Sequence, residues 1–287
     1  MPSVGMGAAI VRKLTLSIAA AAVLAVAVPA VALGDDPGAG KIPPPHPILT
    51  HIDKTPLIEL SDGGGGLPYL GSATSYNAGD WENALRTFHD SGVYDTELAQ
   101  IDKVADKSLL RFVHAGSFER SHKSRSKLHR RARTATLHGR KLAIVLDIDE
   151  TSLSNYSAIN ADNFTFGPNS QAEAVNKIGV AIKPTLDLFN LAKKNGVAVF
   201  FITGRGEAVR QPTTENLQAQ GYSGWDGLTL KPAGTTLTTV AYKSGASAAI
   251  EQQGYRIIAN VGDQYSDLAG GHEDTAFKLP NPFYFLP

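Results

Sequence analysis

The chain has 287 residues, 43% of them hydrophobic, so it can bury one full core of about 100–200 residues beside a smaller region and is not a disordered protein. It contains no cysteine, which excludes both a disulfide framework and an acylated lipoprotein cysteine. Its 27 basic and 27 acidic residues cancel to a formal charge of zero, but they are unevenly spread.

Residues 1–32 read as an export signal. Arg12 and Lys13 form the positive end, Leu14 to Val28 is free of charge, and Ala30-Val31-Ala32 supplies the small-x-small cleavage pattern. The competing reading is an uncleaved membrane anchor, because the uncharged stretch runs on to Leu33 and a spanning helix needs about 20 such residues. Pro29 and the Ala-x-Ala site favour cleavage near Ala32 and a secreted product. Residues 33–79 read as a linker rich in Pro and Gly without periodicity, His46 and His51 within it not being expected to bind metal. The run Asp62 to Gly66 follows no predicted strand and reads as a loop rather than a phosphate cradle.

Residues 80–140 read as a helical accessory region. Trp81, Leu85 and Phe88, then Tyr94, Leu98, Ile101 and Ala105, recur at spacings of three and four, the stripe of helices packed on a core. Residues 111–141 hold ten Lys/Arg against the single acid Glu119. The bland account is a solvated helix or loop; the functional one is a patch over residues 120–133 for an anionic polymer or lipid. Between Ser117 and Lys141 only Phe118 is aromatic, which does not favour nucleic acid.

From residue 141 to 287 the pattern is α/β. "LAIVL", "VAVFFI" and "YRIIANV" are continuous apolar strands of the kind buried on both faces of a parallel sheet. "PTLDLFNLAKKNG", "EAVRQPTTENLQAQG" and "YKSGASAAIEQQG" read as the intervening helices, with Pro212 interrupting the second near its start. Each strand ends in polar residues: Asp147-Ile148-Asp149, Thr203-Gly204-Arg205 and Gly262-Asp263. Parallel neighbours would bring these onto one rim, where open α/β sheets bind ligands.

Asp147, Asp149, Asp263 and Asp267 on one rim repel unless some are protonated or a cation sits among them. With no Cys or His in the set, the ion expected is Mg²⁺, with Asp147 and Asp263 as direct ligands. Metal, Lys243 and the Thr203 hydroxyl around a carboxylate suit a phosphoryl group. Asp147 is then placed to attack phosphorus, and Asp149 to protonate the leaving oxygen and later activate water. Glu150 is expected to support the turn rather than react.

"VLDIDETSLSN", "FFITGRGE", "YKS" and "GDQYSDL" resemble, in order, the four signature motifs of haloacid dehalogenase-like (HAD) phosphatases. "GYSGWDGLTLKP" and "FKLPNPFYFLP" resemble the acid phosphatase branch, subfamily IIIB, which includes secreted bacterial enzymes and plant vegetative storage proteins. The resemblance implies a HAD-like Rossmannoid core, nucleophile Asp147, acid/base Asp149, and Thr203, Gly204 and Lys243 on the phosphoryl group. It implies Mg²⁺ on the Asp147 carboxylate, the Asp149 backbone carbonyl and Asp263, with Asp267 close by or bridged through water. The expected activity is hydrolysis of small phosphomonoesters; the alternative is a non-catalytic storage or binding protein on the same fold. Residues 153–181 should roof the site, where Tyr156, Phe164 and Phe166 are candidates to stack on a nucleoside. Oligomeric state is not readable from the sequence.

Overall fold

The computed structural model describes residues 45–61, 76–77, 82–123 and 134–286. The proposed signal, the loop Asp62 to Gly66 and the side chains of the basic run 120–133 lie outside the described residues. Strands β1 (Pro47–Ile52) and β2 (Thr55–Leu60) form an antiparallel hairpin, so the stretch expected to be linker contributes to the sheet. Its turn places Asp53 at φ 53°, a left-handed conformation that Asp tolerates better than most residues. A short β3 (Tyr76–Asn77) precedes helices α1 (Glu82–Asp90) and α2 (Val93–Lys123). Then follow β4 (Thr136–Leu137) and β5 (Arg140–Leu146), the first strand predicted from the apolar run.

After β5 the chain makes an excursion. Strands β6 (Leu153–Ser154) and β7 (Val180–Ala181) pair antiparallel and bracket α3 (Tyr156–Ala161) and α4 (Pro168–Asn176). Helix α5 (Lys183–Lys194) starts with proline in its first turn and ends with Lys193 and Lys194 near the exposed carbonyls; Gly196 follows at φ +70°. Strand β8 (Ala198–Gly206) leads through one 3₁₀ turn into α6 (Arg210–Ala219), which accommodates Pro212 in its first turn. The chain continues through β9 (Gly227–Lys231) to α7 (Thr239–Gln252), whose Thr238 cap accepts from Ala241 N at 3.2 Å. Strand β10 (Tyr255–Gly262), the short helix α8 (Tyr265–Leu268), β11 (Ala276–Lys278) and β12 (Tyr284–Phe285) complete it.

The sheet order is β1-β2-β11-β10-β5-β8-β9, with β4 beside β5. Pairings from β2 to β9 are all parallel; only β1 and β4 run antiparallel to their neighbours. Alternation along β5 divides the interior into two cores. Leu142, Ile144 and Leu146 pack with Leu85, Tyr94, Leu98, Ile101, Leu188 and Phe189 from α1, α2 and α5. Ala143 and Val145 pack with Phe200, Ile202, Tyr242 and Ile250 on the face covered by α7. The stripe read on α1 and α2 packs on the main core, Trp81 lying outside the described residues, and Thr136–Leu137 enter the sheet as β4.

One buried group in this core titrates unusually. Asp102 on α2 is 2% exposed and accepts a hydrogen bond from Thr185 Oγ1 at 3.1 Å. Burial, with Asp106 and Asp187 nearby, pushes its carboxyl up to about 8, Thr185 opposing. A raised carboxyl keeps its proton in the folded state while the unfolded one loses it near pH 4. Its stabilising contribution is therefore complete below about pH 4 and is lost as pH rises to about 8, on the order of a few kcal/mol. Asp102→Asn keeps an acceptor for Thr185 and should raise Tm at pH 8 by ~5 °C, with little change at pH 4. An equal shift at both pH values in thermal melts would contradict this.

Candidate active site

Strands β10, β5 and β8 are adjacent and parallel, so their carboxyl ends share one rim, as the motifs predicted. Immediately after β5 the backbone coils tightly: the Ile148 carbonyl accepts from Ser152 N at 2.9 Å and Leu153 N at 2.8 Å. Ser152 Oγ donates to the Asp147 carbonyl at 2.6 Å, and Glu150 takes φ +48°, a conformation costly for a residue with a side chain. Surrounding bonds hold that conformation. The Glu150 carboxylate, almost wholly buried, accepts from Asn155 N and from Tyr284 Oη, both at 2.7 Å. Glu150 supports the turn, as expected, and ties it to the C-terminal strand β12.

The rim surrounds a cavity of about 430 Å³. Asp147, Asp149, Gly204, Lys243, Asp263 and Asp267 line it, together with Arg205, Lys231 and Glu173. Lys243 Nζ donates to Asp147 Oδ1 and, at 2.6 Å, to Asp267 Oδ1. The side chains of Asp147, Asp263 and Asp267 are all buried, and each offers an oxygen within 4.8 Å of the others. Asp263 is further held by Thr151 Oγ1 at 3.1 Å and by Gln264 Nε2 and Asn281 Nδ2 at 2.7 Å. A side chain at position 262 could not coexist with this arrangement: a Cβ there would lie 2.6 Å from Asp267 Cβ, so glycine is what lets Asp267 enter the cluster.

The electrostatics point to a missing positive charge. Burial pushes the Asp147 carboxyl well above the usual range; Lys243 opposes this, and Asp267, Asp263 and Asp149 add to it. Burial and Asp267 push Asp263 up to about 6, against Asn281, Lys278 and Gln264. Lys243 loses stability as a cation through burial, but Asp147 and Asp267 more than compensate and keep it charged. Three converging buried carboxylate oxygens, with one ammonium in contact, fit a hard divalent cation with oxygen ligands.

Asp149 is arranged differently. Arg205 embraces it, Nη2 lying 2.6 Å and Nε 3.0 Å from Oδ1, and Asn155 Nδ2 donates to the same oxygen at 2.8 Å. Burial alone would raise its carboxyl; Arg205 and then Asn155 outweigh burial and hold it below the usual range. Its carboxylate is thus outside the carboxylate triad. Thr203 is fully buried and does not line the cavity; its hydroxyl accepts from Arg205 N at 3.1 Å.

Of the aromatics proposed to face the substrate, only Phe166 lines the cavity, where it is 50% exposed. Tyr156 stacks on His89 with ring centroids 3.4 Å apart, and Phe164, 2% exposed, packs on Phe283. Phe164 is a core residue, and Tyr156 is partly buried and packs against the core. Ile159, Phe166 and Glu173 come from the excursion between β6 and β7, which therefore forms part of the cavity wall. Sequence reasoning assigned no role to Arg205, Glu173, Asn281 or Tyr284. Arg205 and the latter two lie inside quoted motifs, which was the available signal; nothing around Glu173 marks it.

A mostly parallel sheet with paired aspartates after one central strand, a second acidic turn after its neighbour and a lysine reaching in from α7 defines a HAD-like phosphotransfer fold. The description "HAD superfamily, subfamily IIIB (Acid phosphatase)" matches residues 93–287, and the chain belongs to that family. It is 37% identical over 150 residues to acid phosphatase 1 of Solanum lycopersicum, covering 50% of this chain and 58% of that protein. It is 33% identical over 152 residues to vegetative storage protein 1 of Arabidopsis thaliana, covering 50% of this chain and 55% of that one. The chain thus spans little more than half the length of these curated relatives. Among solved structures, the class C acid phosphatase from Bacillus anthracis with tungstate bound shares the fold. The TM-score is 0.50 at 15% identity, covering 72% of this chain and 86% of that one.

Proposed function

We propose that this protein is a secreted, Mg²⁺-dependent acid phosphatase that hydrolyses small phosphomonoesters through an aspartyl-phosphate on Asp147. The observation that carries the reading is the contact of Lys243 with both Asp147 and Asp267 beside the triad, at the end of a buried strand. Asp147, Asp263 and Asp267 would hold the cation, with the Asp149 backbone carbonyl, as the family resemblance implies. When bound, the ion would offset carboxylate charge and polarise a phosphoryl oxygen.

The chain's own groups account for the rest. The Asp147 carboxylate attacks phosphorus, the bond to the leaving oxygen breaks, and Asp149 delivers a proton to that oxygen. Water then attacks the aspartyl-phosphate, gives a proton to Asp149, and releases phosphate and free Asp147. Lys243 and the exposed Gly204 backbone would hold the phosphoryl oxygens, while Thr203, which does not line the cavity, would act only by holding the Arg205 backbone. Export is inferred from residues 1–32; among the described residues no helix is long and apolar enough to cross a membrane.

The test is phosphate release from p-nitrophenyl phosphate, sugar phosphates and nucleotides, with and without chelator. Activity should fall to background in excess chelator and return with Mg²⁺. Undiminished turnover in chelator would remove the metal from the mechanism. No turnover on any ester would favour the storage or binding reading that the similarity to a vegetative storage protein keeps in view.

A further inference from the structure

Resting on the phosphomonoesterase reading, we propose that Glu173 selects the leaving group, and that the preferred substrates are phosphomonoesters of short amino alcohols whose ammonium pairs with this carboxylate. The inference begins with the partners of the cavity's acids. Asp147 and Asp267 meet Lys243, Asp149 meets Arg205, and Asp263 accepts from Thr151, Gln264 and Asn281. Glu173 lines the same cavity, and its carboxylate has no hydrogen bond or ion pair among the described residues. Among the cations lining the cavity, Arg205 is the one that opposes the rise of the Glu173 carboxyl, and it is already committed to Asp149. The missing partner shows in its acidity: burial, then Asp149, push the Glu173 carboxyl up to about 8, with Arg205 opposing and Asp162 adding to the rise.

Its position is built rather than incidental. Asp162 anchors the first turn of α4, accepting from Ser170 N at 2.7 Å, Ser170 Oγ at 2.8 Å and Asn169 Nδ2 at 2.7 Å. The packing there excludes a side chain at position 167, where a Cβ would lie 2.8 Å from the Asp162 carboxylate carbon. Glu173 stands one helical turn beyond Ser170, on a helix thereby fixed against the cavity. Ile159, Phe166, Tyr284 and Leu286 supply apolar wall to the same space. A leaving group with a short carbon body and a terminal ammonium meets both requirements: its carbons cover apolar surface and its charge pairs with the cavity acid that has no partner among the described residues. Tyr156 and Phe164, the aromatics that would have enlarged a nucleoside platform, do not line this cavity.

The decisive comparison is O-phosphoethanolamine against n-propyl phosphate, which replaces the ammonium by a methyl group at nearly constant size. At pH 8, wild-type kcat/KM should favour phosphoethanolamine by about tenfold, the range of one charge-assisted contact. E173Q should bring that ratio to about one. A wild-type ratio near one, or a ratio that persists in E173Q, overturns the assignment. p-Nitrophenyl phosphate serves as the control for the phosphatase reading itself. If it is not hydrolysed that reading fails, and calorimetric affinities of the two alkyl phosphates for D147N and D147N/E173Q still decide the role of Glu173.

Discussion

Asp147→Asn is expected to lower kcat on p-nitrophenyl phosphate by ~10⁴-fold or more, because an amide has the shape of the carboxylate but is not nucleophilic. The structure explains why this loss should not come from unfolding. The amide oxygen can still accept from Lys243, and Ser152 still bonds the backbone carbonyl. Burial raises the Asp147 carboxyl, so in metal-free protein its ionised form opposes folding increasingly as pH rises past the unfolded value near 4. A neutral amide removes that term. The variant's Tm at pH 7 without metal should therefore equal or exceed that of the wild type. Retention of more than about a tenth of wild-type turnover in a folded D147N protein would exclude the covalent route.

The parts of the fold legible in the sequence are those whose partners leave a local mark. β5, β8 and β10 are buried on both faces and so appear as unbroken apolar runs, and α5 and α7 carry their own start and stop residues. The hairpin β1-β2 does not. Its Pro47 and Pro56 resemble linker composition, and what makes it a strand pair is the parallel ladder to β11, where Leu57 meets Ala276 and Ile58 meets Phe277 near the far end of the chain. Likewise Tyr156 and Phe164 look like exposed aromatics of a roof until Phe283 is brought against both.

The site divides in the same way. Asp147, Asp149, Lys243, Asp263 and Asp267 stand at strand ends or in motif order, so their convergence follows from topology. Arg205 lies within a recognised motif, yet its function as the partner of Asp149 is a contact between two strands' ends that spacing does not reveal. Asn281 and Tyr284 act on Asp263 and Glu150 from the C-terminal segment. Glu173 is the extreme case: its significance is that its carboxylate lacks a partner among the described residues in a cavity where other acids have one, a property that exists only in three dimensions.

Asp149→Asn should separate the two chemical steps. The amide oxygen can still accept from Arg205, so the fork is not left facing an empty position, whereas alanine would strand a buried guanidinium. What is lost is proton transfer. An aryl phosphate leaves without much help, and Asp147 should still take its phosphoryl group; an alkyl phosphate needs the proton and should slow by about 10²–10⁴-fold. The second step loses its base for both substrates, so hydrolysis of the aspartyl-phosphate becomes slow. Rapid mixing with p-nitrophenyl phosphate should then show a burst of nitrophenol near one equivalent per site, followed by slow turnover. Metal binding by calorimetry is the control for local damage, because the Asp149 backbone carbonyl is an inferred ligand. A variant that binds Mg²⁺ normally yet loses aryl and alkyl substrates equally, with no burst, would assign the proton transfers to another group, and Glu173, the remaining cavity acid with no partner among the described residues, would be the first to test.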